Sequence, residues 1–186
     1  MRKVIYMMGV SLDGYITDPN GGLDWSVPDR EVFQFFIDQT RGLGAHLMGT
    51  KLYETMLYWE TEDPATFDDA EREWASIWNA LPKVVFSHTL TELVESARLA
   101  TGDVAEEIAR LRAEPGDGAI AIGGADLAAQ VAAAGLIDEY QVIVHPVLVG
   151  GGSRYFAHDE RRVNLKLVET RPFASGPVYL HYVVEH

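Results

Sequence analysis

The sequence predicts an α/β fold in which helices lie on both faces of a central, mostly parallel mixed sheet. Short apolar runs typical of buried strands alternate with segments that carry apolar residues at helical spacing. The last segment, 163–186, alternates around Gly176 and Pro177, which is typical of an antiparallel hairpin at a sheet edge. No linker or repeat divides the 186 residues, so we expect a single domain over 1–186.

The predicted elements follow one another in a regular order. Residues 3–10 form the first apolar run, and turn formers cluster behind it at 17–22, which predicts a long, mobile loop. Asp29 is suited to begin the first helix, which should stop at the glycines of 42–44. The other predicted elements are strands at 46–49, 83–87, 119–122 and within 137–149, and helices from Thr50, around 74–81, at 104–112 and at 125–134.

Composition excludes several classes of function. The formal charge of −13 argues against nucleic acid or an anionic membrane as partner, since both select basic surfaces. The absence of cysteine excludes disulfides and thiolate chemistry and fits a cytoplasmic protein. No apolar run is long enough for a membrane span, no two histidines share the i, i+4 spacing of a metal site, and no G-x-S-x-G elbow favours a hydrolase.

Small and polar residues follow four of the predicted strands. Ligands of open α/β sheets bind beyond the carboxyl ends of the strands, so these positions are candidates for a site. Gly49-Thr50-Lys51 and Gly123-Gly124-Ala125 each stand at a strand-to-helix junction, where free amides hold phosphate well, although such glycines are often purely structural. Two junctions would suit the two halves of a dinucleotide. Neither matches the Rossmann or P-loop pattern.

Five motifs in one order carry a resemblance to a known family. They are SLDGYI at 11–16, GTKLYE at 49–54, KVVFS at 83–87, IGGA at 122–125 and PVLVGGG at 146–152. The series resembles the dihydrofolate-reductase-like family, particularly the branch with the C-terminal reductase domain of riboflavin-biosynthesis deaminase-reductases. The likeness spans nearly the whole chain, and the ordered set is more specific than any one motif.

The resemblance implies a dihydrofolate-reductase-like three-layer fold of about eight strands, an NADPH site and often a homodimer. It also implies a cis peptide bond between Gly123 and Gly124. By motif position, the backbone of Gly9 and Ile16 would meet the nicotinamide carboxamide. The other implied cofactor contacts are Gly49, Thr50, Lys51 and Leu52 for phosphate, Ser87, His88 and Thr89 for the adenosine end, and Ile122, Gly123, Gly124, Ala125, Asp126 and Leu127 for the diphosphate.

Three positions depart from dihydrofolate reductase itself. Thr50 replaces an arginine, with Lys51 as the nearest cation, and Asp126 stands where an arginine is common, which weakens the preference for NADPH over NADH. The acidic residue that orients a pterin falls on Arg30, with Asp29 one position early. One position turns a helical side chain by about 100°, so Asp29 is a poor substitute. Arg30 instead favours an anionic or phosphorylated substrate.

The resulting hypothesis is an NADPH-dependent reductase of the 5-amino-6-(5-phosphoribosylamino)uracil reductase type, acting on a small heterocyclic or sugar-derived substrate. Trp25, Arg30 and Tyr53 are expected on the substrate side, although Trp25 and Tyr53 also suit a core. Asp13 or Asp24 is expected to support proton delivery, although Asp13 also suits a turn cap. A pterin reductase, and a cofactor-binding protein without reductase chemistry, remain as alternatives.

Overall fold

An eight-stranded sheet forms the centre of the molecule in the computed structural model, which describes residues 1–158 and 161–185. The strands are β1 Val4–Ser11, β2 Leu43–Gly49, β3 Lys83–Phe86, β4 Ala97–Leu99, β5 Ala119–Gly123, β6 Glu139–His145, β7 Leu165–Pro172 and β8 Val178–Val184. The helices are α1 Arg30–Arg41, α2 Thr50–Met56, α3 Tyr58–Thr61, α4 Asp69–Ala80, α5 Val104–Ala113 and α6 Ala125–Ala133, with short 3-10 helices at Asp24–Ser26 and Pro64–Thr66.

The strand order is β4-β3-β2-β5-β1-β6-β8-β7. Strands β1 to β6 pair in parallel, whereas β8 pairs antiparallel with both β6 and β7. The predicted mixed sheet with a C-terminal hairpin at one edge is therefore confirmed. Because β5 lies between β2 and β1, the carboxyl ends of β3, β2, β5, β1 and β6 follow one another along a single edge of the sheet.

Helices cover both faces of the sheet, which confirms the three-layer architecture. On one face, α5 and α6 contribute Ile108 and Val131 to a core with the β1 and β5 side chains. On the other face, α1 and α4 contribute Ile37 and Trp78 to a second core against β2 and β3. A third cluster joins α1 to β6 and β8 through residues such as Phe35.

Acidic residues begin the longer helices. The carboxylate of Asp29 accepts from the amide of Val32 at the start of α1, as the sequence predicts. Asp68 and Glu71 form a reciprocal capping box at the start of α4, and the helix α5 begins with the same arrangement. The carboxylate-rich residues 60–73 thus span the end of α3, the 3-10 helix at Pro64–Thr66 and the first turn of α4.

Several features differ from the predicted elements: α3 and the two 3-10 helices were not predicted, and α4 begins at Asp69. Strand β4 was not predicted, because three residues are too few to show a period of two. Strand β2 begins at Leu43 rather than at His46, since Gly44 is a strand residue and not a break: a Cβ there would overlap the Arg2 guanidinium and lie 3.0 Å from the Gly118 carbonyl. Among the described residues, no helix has the length and apolar character needed to cross a membrane.

Candidate active site

Strands β1 and β5 stop pairing before β1 ends, and we call the space between their carboxyl ends the crevice. Strand β1 pairs with β6 as far as Ser11, but its register with β5 ends at Tyr6. Strand β5 ends at Gly123, where the chain turns into α6. The upper half of β1 therefore has no β5 backbone beside it, and its peptide groups face this gap. Such a switch in strand order is where α/β sheets bind ligands.

Hydroxyl groups meet where β2 and β3 end. The Thr50 hydroxyl donates to the Ser87 hydroxyl at 2.8 Å, and Ser87 Oγ in turn accepts from the Thr89 and Leu90 amides at 3.2 Å each. Lys51 follows Thr50 with an exposed side chain, and His88 is exposed as well. The structure thus brings together the residues predicted for the adenosine end, and supplies hydroxyl donors beside one exposed cation.

Gly123, the last residue of β5, and Gly124, which follows it, are glycines for different structural reasons. A Cβ at Gly123 would overlap the Leu52 side chain and lie 2.8 Å from Cε1 of His46. Gly124 is the N-cap of α6 with φ of +92°, and no side chain caps this helix. The first amides of α6, at Ala125 and the two residues after it, are accordingly available to a ligand. The side chain of Asp126 is exposed, whereas that of Leu127 is buried in the core.

The predicted cis bond between Gly123 and Gly124 is wrong: the described peptide bonds are all trans. A cis bond before a residue other than proline costs about 3 kcal/mol. The positive φ of Gly124 reverses the chain direction at this turn without that cost.

His145, a residue that the sequence analysis missed, lies beside the crevice. It is the last residue of β6, is 5% exposed, and its ring leans onto the neighbouring strand β1 beside Gly9. A Cβ on Gly9 would be 3.2 Å from His145 Nε2, so glycine makes room for the ring. Trp25 stands nearly perpendicular to it, with ring centroids 5.6 Å apart. Burial lowers the pKa of His145, which favours the neutral ring.

Asp13 connects the loop after β1 to the loop after β6 through hydrogen bonds. Its carboxylate accepts from the Ser11 hydroxyl at 2.6 Å and from the amides of Gly150 and Val149 at 2.8 and 3.2 Å. The Ser11 bond and these amides hold the pKa of Asp13 below its ordinary value, so the side chain stays ionised at neutral pH. An ionised, fully engaged carboxylate is a poor proton donor. Asp24 is exposed in the 3-10 helix that follows this loop.

The segment between β1 and the predicted mobile loop is hydrogen-bonded to residues 153–155. The amide of Ile16 donates to the Ser153 carbonyl at 2.7 Å, and the Ser153 amide donates to the Thr17 hydroxyl at 3.0 Å. The Tyr155 amide donates to the Gly14 carbonyl at 2.9 Å. These long-range hydrogen bonds hold residues 14–17 against 153–155, while the mobility of the turn formers at 17–22 stays a prediction.

Tyr53 and Arg30, both predicted for the substrate side, have different environments in the structure. Tyr53 is a core residue: its side chain is buried and its hydroxyl accepts from the Val94 amide at 3.0 Å, so little of the ring is left for a ligand. Arg30 begins α1 with an exposed side chain. The Val32 amide, and after it the Ser175 hydroxyl, lower the pKa of Asp29, whose carboxylate is thereby engaged as a cap.

Metal ligands do not gather in this site. Among the described residues, no group of three or more histidine and acidic side chains is placed to hold a metal ion. The polar groups at the crevice are instead backbone amides, hydroxyls, one lysine and one imidazole, which suit an organic ligand with phosphate groups.

Comparison with known proteins identifies the family. The sequence model of the RibD C-terminal domain matches residues 2–179. Two curated relatives are uncharacterised proteins of Bacillus subtilis strain 168: YyaP is 34% identical, with 97% of this chain and 94% of YyaP covered, and YwjB is 28% identical, with 98% of each covered.

Solved structures agree with that match. A putative riboflavin biosynthesis protein from Shewanella sp. PV-4 superposes with a TM-score of 0.78 at 25% identity, covering 100% of both chains. A deaminase/5-amino-6-(5-phosphoribosylamino)uracil reductase from Thermotoga maritima superposes with a TM-score of 0.68 at 16% identity, covering 99% of this chain and 57% of that one, and shows a shared fold. The crevice between β1 and β5 is the candidate active site of this protein. The chain belongs to the RibD C-terminal domain family, which is a reductase-type family.

Proposed function

We propose that this protein is a reductase that binds NADPH along the β3-β2-β5-β1 edge and passes hydride to 5-amino-6-(5-phosphoribosylamino)uracil or a related heterocycle. The crevice between β1 and β5 carries the proposal, because glycine backbone lies at its sides and phosphate-binding groups lie next to it. Membership of a reductase-type family supports the same chemistry.

The residues at the crevice fit a dinucleotide. Gly49 and Gly124 have nothing within 4 Å of the place of a Cβ, so a diphosphate can approach the backbone closely there. The free amides at the start of α6 face a negative group favourably, as does the positive end of that helix. Thr50 and Ser87 offer hydroxyls, and Lys51 supplies positive charge for the additional phosphate of NADPH.

A bound nicotinamide would supply the hydride, and the chain would supply position and shelter. Trp25 and the start of α1 form the substrate side, where the exposed Arg30 attracts a phosphorylated substrate. Asp24 remains a candidate for proton delivery. Asp13 acts there as a brace, since its hydrogen bonds hold the loop after β1 against the glycines at 150–152.

Two measurements test the proposal in sequence. First, NADPH and NADH are titrated while thermal unfolding is followed. Saturation at about 100 times Kd stabilises the folded state by about 2.7 kcal/mol, which raises Tm by about 5 to 10 °C for a chain of this size. If neither cofactor shifts Tm at millimolar concentration, the proposal is refuted.

Second, NADPH oxidation is followed with the phosphoribosylamino-uracil, with pterins and with simple carbonyl compounds. Turnover of the uracil compound supports the proposed substrate. Turnover of pterins alone favours the pterin reductase. Tight NADPH binding without oxidation of any of these compounds favours the cofactor-binding protein.

We infer further that two copies associate through the edge strand β7. Leu167 and Val168 are exposed on this strand. The register of β7 with β8 shifts between Leu167 and Glu169, so Lys166 and Glu169, three positions apart, lie opposite Val183 and His181, which are two positions apart; Lys166 and Glu169 therefore share one face. If two β7 strands pair antiparallel about a two-fold axis between Leu167 and Val168, Lys166 of one copy lies opposite Glu169 of the partner subunit. The symmetry then produces this ion pair twice.

Charge reversal tests this association. The substitution Lys166→Glu places like charges opposite each other and should shift light-scattering mass towards the monomer, whereas adding Glu169→Lys should restore the dimer. A wild-type protein that is monomeric at all concentrations, or a dimer that tolerates the single reversal, contradicts this interface.

A further inference from the structure

We infer that His145 is a catalytic residue, which contacts the hydride acceptor and delivers the proton that accompanies hydride transfer. This inference rests on the proposed function and extends it to the residue that completes the reduction. The argument uses the position of the ring, the state of its nitrogens and the neighbours that surround it.

The position of His145 is the first step. It ends β6 at the edge where β5 and β1 also end, and its register partner on β1 is Ser11. The ring leans back over Gly9, with Nε2 3.2 Å from the place of a Cβ. The imidazole therefore occupies the side-chain space of the β1 residue that borders the crevice, one strand away from β5.

The ring nitrogens are the second step. Within 1–158 and 161–185, neither nitrogen of His145 has a hydrogen-bond partner, although the residue is 95% buried. Neither nitrogen is sealed from solvent either, in contrast to Nδ1 of His46. The nitrogens of His145 have no partner among the described residues and can be reached from outside, so a ligand in the crevice can form a hydrogen bond with either of them.

The neighbouring Trp25 is the third step. Trp25, whose ring stands over that of His145, has an indole Nε1 that is buried and also lacks a partner among the described residues. This indole nitrogen is enclosed, as Nδ1 of His46 is, so the Trp25 ring serves as a wall beside the accessible nitrogens of His145 and not as a second hydrogen-bond contact. His181 on β8 is different, because its Nε2 is hydrogen-bonded to Glu139 at 2.8 Å.

The reaction balances with His145 as donor. The hydride leaves the dihydronicotinamide with both electrons of its C–H bond and forms a new C–H bond at the carbon of a C=N or C=O group. The proton passes from the protonated imidazole to the nitrogen or oxygen of that group, and the neutral ring takes up a proton from water. A phosphorylated substrate beside the ring favours its protonated form, since opposite charge stabilises the cation.

The test compares three variants with the wild type, using NADPH and the phosphoribosylamino-uracil as probes. His145→Gln keeps an amide donor but transfers no proton, and His145→Ala opens space for free imidazole. His158→Gln makes the same chemical change at an exposed position outside the site and serves as the matched control. Cofactor Kd is measured by titration and hydride transfer by single-turnover loss of NADPH.

We expect His145→Gln to slow hydride transfer by about 10² to 10³-fold, the range of general acid catalysis, with NADPH Kd little changed. Imidazole should restore part of the rate of His145→Ala and none of the small change in the control. A rate for His145→Gln close to wild type overturns the inference, and so does a rate loss that only follows lost cofactor affinity without imidazole rescue. A wild type that binds no NADPH overturns the proposed function and this inference together, whereas the first two results leave the proposed function standing.

Discussion

Glu107 on α5 provides the sharpest stability prediction. Its side chain is 0% exposed, yet it is ionised: Oε2 accepts from Arg98 at 2.7 Å, and Oε1 accepts from the Thr101 amide and from Arg110 at 2.7 Å each. Burial alone raises the pKa of Glu107, but the Arg98 bond, the Thr101 amide and the two positive charges outweigh it and lower the pKa to about 2.

Glu107→Gln keeps the shape and removes the charge. One amide oxygen can still accept from Thr101, while the amide NH₂ then faces the donor of Arg98. Hydrogen bonds to charged groups contribute about 1.5 to 3 kcal/mol each, but Arg98 and Arg110 are 40% and 46% exposed and regain water. We therefore expect a loss of about 2 to 3 kcal/mol at pH 7, or about 5 to 10 °C in Tm.

The direction in which pH changes the free energy of unfolding follows from the lowered pKa of Glu107. A carboxylate whose pKa is lowered on folding contributes stability above its unfolded pKa and loses it as pH falls through its folded pKa. The difference between wild type and Glu107→Gln should thus be full above pH 5 and shrink between pH 4.5 and pH 2. Urea unfolding across this range measures it, with Glu114→Gln as the control, because Glu114 ends the same helix, is half-exposed and lies 3.9 Å from Arg2. A variant within about 0.5 kcal/mol of wild type at pH 7, or a difference that grows with acid, refutes the reasoning.

Three further predictions concern the site. Gly124→Ala places a Cβ on a residue with φ of +92°, and no other atom lies within 4 Å of that Cβ, so the whole effect on stability should be backbone strain. Thermal unfolding should show a loss of about 1 to 2 kcal/mol, together with weaker NADPH binding. An unchanged Tm would contradict the assigned turn. Lys51→Ala should weaken NADPH binding about tenfold and leave NADH binding unchanged in parallel titrations, whereas equal losses would place Lys51 elsewhere on the cofactor. Tyr53→Phe leaves the Val94 amide without its acceptor and should cost about 1 kcal/mol in urea unfolding without raising KM; a raised KM at unchanged stability would return Tyr53 to the substrate wall.

Much of the fold could be predicted from the sequence, because it depends on interactions between residues close together in the chain. The cap at Asp29, the apolar stripe around Trp74 and the alternating tail depend on neighbours within a few positions, so each predicts its element directly. The ordered motifs also indicated the family, since they carry the strand-end turns of a particular architecture. The sequence by itself determined the alternation of elements, the single sheet with its terminal hairpin and the two glycine junctions.

Only the tertiary structure decided the strand order and the roles of individual site residues. The insertion of β5 between β2 and β1 creates the crevice, and Asp13 becomes a brace through amides 136 and 137 positions away. Tyr53 enters the core through Val94, and His145 reaches Gly9 across a strand pair. These contacts join residues far apart in the chain, and periodicity and capping hold no information about such distant partners. The physical reason is that a side chain's environment is set by which strands pair, while its local pattern records only the element to which it belongs.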